Sequence, residues 1–180
     1  MADAALNRSL SAPEEEELDR LLILGLGNPM MADDGIGPEV VSRLTRCGLP
    51  TGVRLVVVDG DLLSLVDLWR GEPEVWLVDA VSGDRPPGSQ WVIDDHQLRR
   101  LPTGGMSIHH PSVGEFLRWI IHARPEMAAV RFCLYGIEAA ELRPGGRMDR
   151  AVLKAIDPMV QRIATAARRQ RPRRRESCRV

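Results

Sequence analysis

Short apolar runs closed by glycine or aspartate alternate along this chain with stretches in which apolar residues recur every three or four positions. Leu21 to Leu26 is an apolar run closed by glycines, as expected of a strand buried on both faces. Pro38 suits the first position of a following helix, where its missing N–H would have no partner anyway. That helix carries Val40, Val41 and Leu44 on one face and ends near Gly48. Val53 to Val58 predicts a second strand, stopped by Asp59-Gly60. Leu62, Leu63, Val66 and Trp69 fall at helical spacing and stop at Gly71. Val75 to Val78 predicts a third strand ending at Asp79. Gly83 to Gly88 reads as a turn, Gln90 to Ile93 as a short edge strand, and Leu101 to Pro111 as a loop containing glycine, proline and histidine. Val113 to Ile121 reads as helix, Val130 to Tyr135 as strand, and Asp149 to Ala167 as a long final helix.

Strands alternating with helices predict an α/β fold, three-layer α/β/α, with a mainly parallel, twisted central sheet of about five strands covered on both sides. No internal repeat interrupts this order. At 180 residues the chain suits one domain, expected over 20–167, with a flexible acidic leader before it and an Arg-rich, disordered tail over 168–180. Only 4% of residues are aromatic, so the core is expected to be mainly aliphatic. The formal net charge of -1 conceals an acidic run at Glu14 to Glu17 and a basic one from Arg168 to Arg179.

Cys47, Cys133 and Cys178 lie far apart with no CxxC, which argues against a disulfide framework or a thiolate zinc site and suits a reducing cytoplasm. The acidic start is unlike a signal peptide, and no apolar run approaches about 18 residues, so neither secretion nor a membrane span is expected. The basic tail lacks interleaved aromatics and an adjoining nucleic-acid motif. It reads as a solvated tail or a contact for an acidic partner, with no nucleic acid expected.

Open parallel sheets bind ligands outside the carboxyl ends of their strands. Three polar groups fall at or near such ends: Asp33-Asp34 after the first strand, Asp79 at the third, and His109-His110 in the long loop. Together two carboxylates and an imidazole would make an O,O,N site for a divalent transition metal, with positions left open for water or substrate. Each residue also has a plainer reading. Asp33 and Asp34 suit a helix N-terminus, Asp79 a structural hydrogen bond, and the histidines a solvated loop. Several other chemistries fail on inspection. Gly25-Leu26-Gly27-Asn28-Pro29-Met30 starts like a dinucleotide fingerprint, but Met30 stands where the third glycine is needed. GxxxxGK[ST], GxSxG and HExxH are all missing.

Four ordered motifs, spread from about Leu21 to Ala167, make the chain resemble the [NiFe]-hydrogenase maturation endopeptidases. They are Leu21 to Asn28 with Asp33, Asp34 and Gly37; Val78-Asp79-Ala80; Ser107-Ile108-His109; and Tyr135-Gly136-Ile137-Glu138. Val58-Asp59-Gly60 matches the family's second strand and turn, although Asp61 stands where a second glycine is common. The resemblance implies a phosphorylase/hydrolase-like sheet and an endopeptidase that removes the C-terminal extension of a [NiFe]-hydrogenase large-subunit precursor after nickel insertion. It also implies nickel recognition through Asp34, Asp79 and His109, with Asp33 and Asp34 as catalytic candidates. His109 is preferred to its neighbour His110 on the S-x-H spacing. The nickel would be supplied by the precursor, leaving the isolated site empty or holding another divalent ion. Hydrolysis would then use the metal as Lewis acid or an aspartate as general base. A non-enzymatic chaperone for the nickel-loaded large subunit, and a general hydrolase with its own metal, remain as competing readings.

Overall fold

The computed structural model describes residues 20–59, 62–101 and 113–170. A five-stranded sheet has the order β2-β1-β3-β5-β4, with β1 at Leu21–Leu26, β2 at Val53–Val58, β3 at Glu74–Val81, β4 at Gln90–Ile93 and β5 at Arg131–Glu138. All neighbours run parallel except β4, which pairs antiparallel to β5 at the edge. The expected α/β architecture is therefore the observed one.

Alternation along β1 divides the core. Leu21 and Ile23 face a layer built by α1 (Ile36–Leu44) and α5 (Arg150–Arg169), packing with Val40, Leu44, Ile156 and Ile163. Leu22, Leu24 and Leu26 face the opposite layer, with Leu65 of α2 (Leu65–Leu68), Leu98 of α3 (Asp95–Arg99), and Leu117 and Ile120 of α4 (Val113–Ala123). Every residue of β1 is buried, as expected for a strand covered on both faces.

Several boundaries differ from the sequence expectation. The first helix starts at Ile36, so Pro38 is its third residue and not its first. A 3-10 turn over Ala32–Gly35 runs straight into α1, and proline is tolerated because the first-turn amides lack intrahelical acceptors. The Leu62 to Trp69 segment is a 3-10 turn and one α-turn, because the chain turns back at Trp69 to enter β3. There Arg54 donates to the Leu68 carbonyl, and Glu72 accepts from the Arg70 amide. β3 continues to Val81, so Asp79 lies inside the strand, opposite Gly136, and does not close it. α3 was not anticipated, although Asp94 and Gln97 form a complete capping box before it. The leader, residues 102–112 of the histidine loop and residues 171–180 of the Arg-rich tail lie outside the described residues, whereas Arg168 and Arg169, expected in the disordered tail, continue α5.

α1 approaches the sheet at two glycines. A Cβ on Gly37 would stand 2.5 Å from both the Leu26 amide nitrogen and the Val78 carbonyl oxygen. One on Gly25 would lie 2.6 Å from the Gly37 carbonyl oxygen. Backbone therefore meets backbone at Leu26 of β1 and Val78 of β3, with Val41 Cγ2 also 2.7 Å from the Gly25 position. Gly37→Ala is expected to lower stability by about 3 kcal/mol through overpacking, read as a lower midpoint in urea denaturation.

Candidate functional site

The chain leaves β1 on one side for β2 and later returns on the other side for β3, making a topological switch point between β1 and β3. Such crevices bind ligands at the carboxyl ends of the strands. The loop after β1 turns sharply at Gly27, whose φ of 119° is left-handed and whose Cα faces the Asp34 carbonyl too closely for a side chain. Asn28 then braces the loop twice. Its side-chain oxygen accepts the Met30 amide at 2.8 Å, and its own amide donates to Asp34 Oδ2 at 2.7 Å.

Adjacent in sequence, Asp33 and Asp34 have different surroundings. Asp33 is 1% exposed. Its Oδ2 accepts from the amides of Ala140 at 2.8 Å and Glu141 at 3.0 Å, while Oδ1 accepts from the Asp149 amide at 2.7 Å. A buried carboxylate with this many charge-assisted bonds is a brace, and both oxygens are committed. Asp34 is only half-buried, and its Oδ1 accepts no hydrogen bond from a described residue.

Asp79 enters from β3. Its Oδ1 accepts from the Ala80 amide at 2.8 Å. Its carboxyl group is enclosed, although the residue keeps some exposure, and burial is the main force that pushes its pKa from 3.8 up to about 8. The Ala80 amide opposes that rise, and the charge of Asp34 adds to it. The structure thus brings Asp34 and Asp79 into electrostatic contact at the switch point. His109 and His110 lie outside the described residues. Among the described residues no group of three potential metal ligands is gathered, so the carboxylate pair is the part of the expected donor set on view. Two oxygen donors that resist being charged together suit a divalent cation.

Glu138, the last residue of the Gly136-Ile137-Glu138 motif, braces the other side. It is 2% exposed, accepts from Trp91 Nε1 at 2.7 Å, and accepts a further bond from the Gly83 amide. It holds the segment after β3 against β4. Its place was visible in the motif, but its partners were not. The bracing role of Asp33 was likewise hidden, because its three donors lie more than a hundred residues away.

The family model for HycI hydrogenase maturation proteases matches residues 38–166, a span that includes Asp79 and begins just after the Asp34 loop. The putative hydrogenase maturation protease of Methanocaldococcus jannaschii is 28% identical over 147 residues, covering 79% of this chain and 93% of that protein. The hydrogenase 2 maturation protease of Escherichia coli K12 is 26% identical over 161 residues, covering 83% of this chain and 91% of its own length. In structure, the E. coli hydrogenase maturating endopeptidase HybD superposes with a TM-score of 0.70 at 22% identity, over 83% of this chain and 92% of HybD. HycI from Thermococcus kodakarensis gives 0.69 at 19% identity, covering 85% and 95%.

Two outcomes test the site's electrostatics. Asp33→Ala is expected to destabilise the fold by about 3 kcal/mol or more, since three amides lose a buried charged acceptor, whereas Asp34→Ala changes thermal stability little. For Asp79, a raised folded pKa means that its favourable contribution is complete below about 3.8 and is lost as pH rises through about 8. In chelator-treated protein, Asp79→Asn should therefore gain stability over wild type across that window, by at most about 1.4 kcal/mol per pH unit. Parallel melting curves from acid to mildly alkaline pH measure the gap.

Proposed function

This chain belongs to the hydrogenase maturation protease family, and we propose that it removes the C-terminal extension of a [NiFe]-hydrogenase large-subunit precursor once nickel has been inserted. A peptidase role in hydrogenase maturation follows from the family itself. The observation that supports the finer reading is the Asp34–Asp79 pair, two carboxylates held at the switch point with one driven towards its protonated form by burial and by the other's charge.

In this reading the precursor's nickel centre is part of the substrate, and Asp34, Asp79 and His109 recognise it. Docking places the scissile bond beside the loop, and nickel-free precursor lacks the cation that relieves the repulsion between the two acids. Metal contact supplies carbonyl polarisation or an acidified water. The attacking water's oxygen joins the carbonyl carbon, its proton passes to a carboxylate, and the departing amine takes up a proton as the C–N bond breaks. Asp34 is the carboxylate suited to this transfer, because its Oδ1 accepts no hydrogen bond from a described residue and the side chain is partly exposed. Asp33 acts as a positioning residue that holds Asp34 in place, its own oxygens being occupied by backbone amides. The loop glycines give the substrate backbone close access.

The described residues contain no helix long and apolar enough to cross a membrane. The substrate is expected to be met in the cytoplasm.

The test mixes nickel-loaded and nickel-free large-subunit precursors with wild type and with Asp34→Ala, Asp79→Ala and His109→Ala. Wild type should release a C-terminal peptide from the loaded precursor alone, even after the protease itself has been treated with chelator. Each variant should lose cleavage by at least about a hundredfold, consistent with loss of a group acting in the transition state. Near wild-type cleavage by all three overturns the site assignment. Complex formation without peptide release by wild type would instead establish a chaperone.

A further inference from the structure

Beside the Asp34 loop, a groove of about 720 Å³ runs between the start of α1 and the start of α5. Gly35, the residue after Asp34, forms part of its wall, so the groove borders the loop that carries Asp34. Pro29, Pro38, Met148 and Leu153 give it apolar walls, and Leu153 stays 43% exposed although it sits on the amphipathic α5. Met30, at 72% exposure, stands next to it, held by the bond from the Gly145 amide to the Met30 carbonyl.

Charge in the groove is mixed, with two lining arginines against one lining glutamate. Glu39 is bonded by Arg43 at 2.7 Å, a guanidinium it shares with Asp157. Arg143, on the same segment, is paired with Glu141. Asp149 is turned to cap α5, its Oδ1 accepting the Ala151 amide. Arg147 and Arg150 also line the groove. Both are exposed, and neither has an acidic partner among the described residues. Arg150 moreover sits in the first turn of α5, a turn without acidic residues, where a cation is disfavoured by the helix dipole. Two exposed guanidiniums beside apolar walls are complementary to an extended peptide that alternates apolar and carboxylate side chains.

We propose that this groove docks an extended acidic segment of the precursor polypeptide next to the scissile bond, its apolar side chains on Met148 and Leu153 and its carboxylates on Arg147 and Arg150. This rests on the protease reading of the Asp34–Asp79 site. The two neighbouring sites then sort the substrate by charge: cation to the aspartates, anions to the arginines.

The probe is a fluorescein-labelled peptide of alternating Leu and Glu, compared with its Leu–Gln counterpart, in anisotropy titrations of the full chain at low salt. The Glu peptide should bind at least about tenfold more tightly and lose that advantage at high salt. The double variant Arg147→Glu, Arg150→Glu should lose the preference while melting as wild type does, and Leu153→Asp should weaken both peptides. With precursor as substrate, the double variant should raise KM about tenfold or more and leave kcat nearly unchanged. Equal binding of the two peptides, or an unaltered preference and KM in the double variant, overturns the groove assignment. The two readings fail separately. Asp79→Asn should abolish cleavage yet keep the peptide preference, and a wild-type protein that binds the Glu peptide but cuts no precursor overturns the protease reading alone.

Discussion

A carboxylate sealed from water is stable only where enough donors replace its hydration, and Asp33 has three of them. All three are backbone amides, from the segment after β5 and from the residue that caps α5. One side chain thus joins the first loop of the sheet to the last quarter of the chain. It fixes the loop that carries Asp34, whose Oδ1 accepts no hydrogen bond from a described residue, and ties that loop to the start of α5. Ala32, immediately before it, adopts a left-handed φ of 48°, a conformation that a non-glycine residue keeps only when its surroundings impose it.

The two ends of the sheet handle charge differently. At the amino ends of the strands, Glu72 is fully buried but bonded by Arg54 at 2.5 Å, and Glu74 is paired with Arg131 and bonded by Gln170. These acids have cationic partners within the fold, and their role is structural. At the carboxyl ends, Asp34 lies near enough to Asp79 for its charge to act on it, and neither has a cationic partner among the described residues. Among the described residues, these acids lack positive charge where the strand order also opens a crevice. That contrast distinguishes a site from the ordinary buried acids of the core.

Rigidity around the crevice comes from backbone contact more than from side chains. Gly25 and Gly37 let α1 rest directly on β1 and β3, and Gly136 allows Val81 to pack across β5. Glu138 then ties the exit of β3 to the edge strand through Gly83 and Trp91. Residues that touch the reaction can in this way stay few, with their positions set by buried braces on both sides.

Local sequence was enough to determine the strands, the large helices and the α/β class, because burial on one face or two leaves a period in the chain that needs no partner to be read. It also marked Asp34 and Asp79, since acids that follow apolar strands stand out against a hydrophobic background. Their ordered motifs pointed to the family as well. It did not show how far β3 extends past Asp79, since pairing with β5 decides that, nor the short turns around Leu65, which depend on Arg54 and Glu72. Nothing local separates Asp33 from Asp34: both are aspartates in one loop. Only the tertiary structure makes one a brace and leaves the other half-buried, because the amides that claim Asp33 come from residues 140, 141 and 149. The enclosure of the Asp79 carboxyl group and the exposed arginines of the groove depend on tertiary structure for the same reason. Burial and charge depend on what the fold places nearby, and sequence distance says little about that.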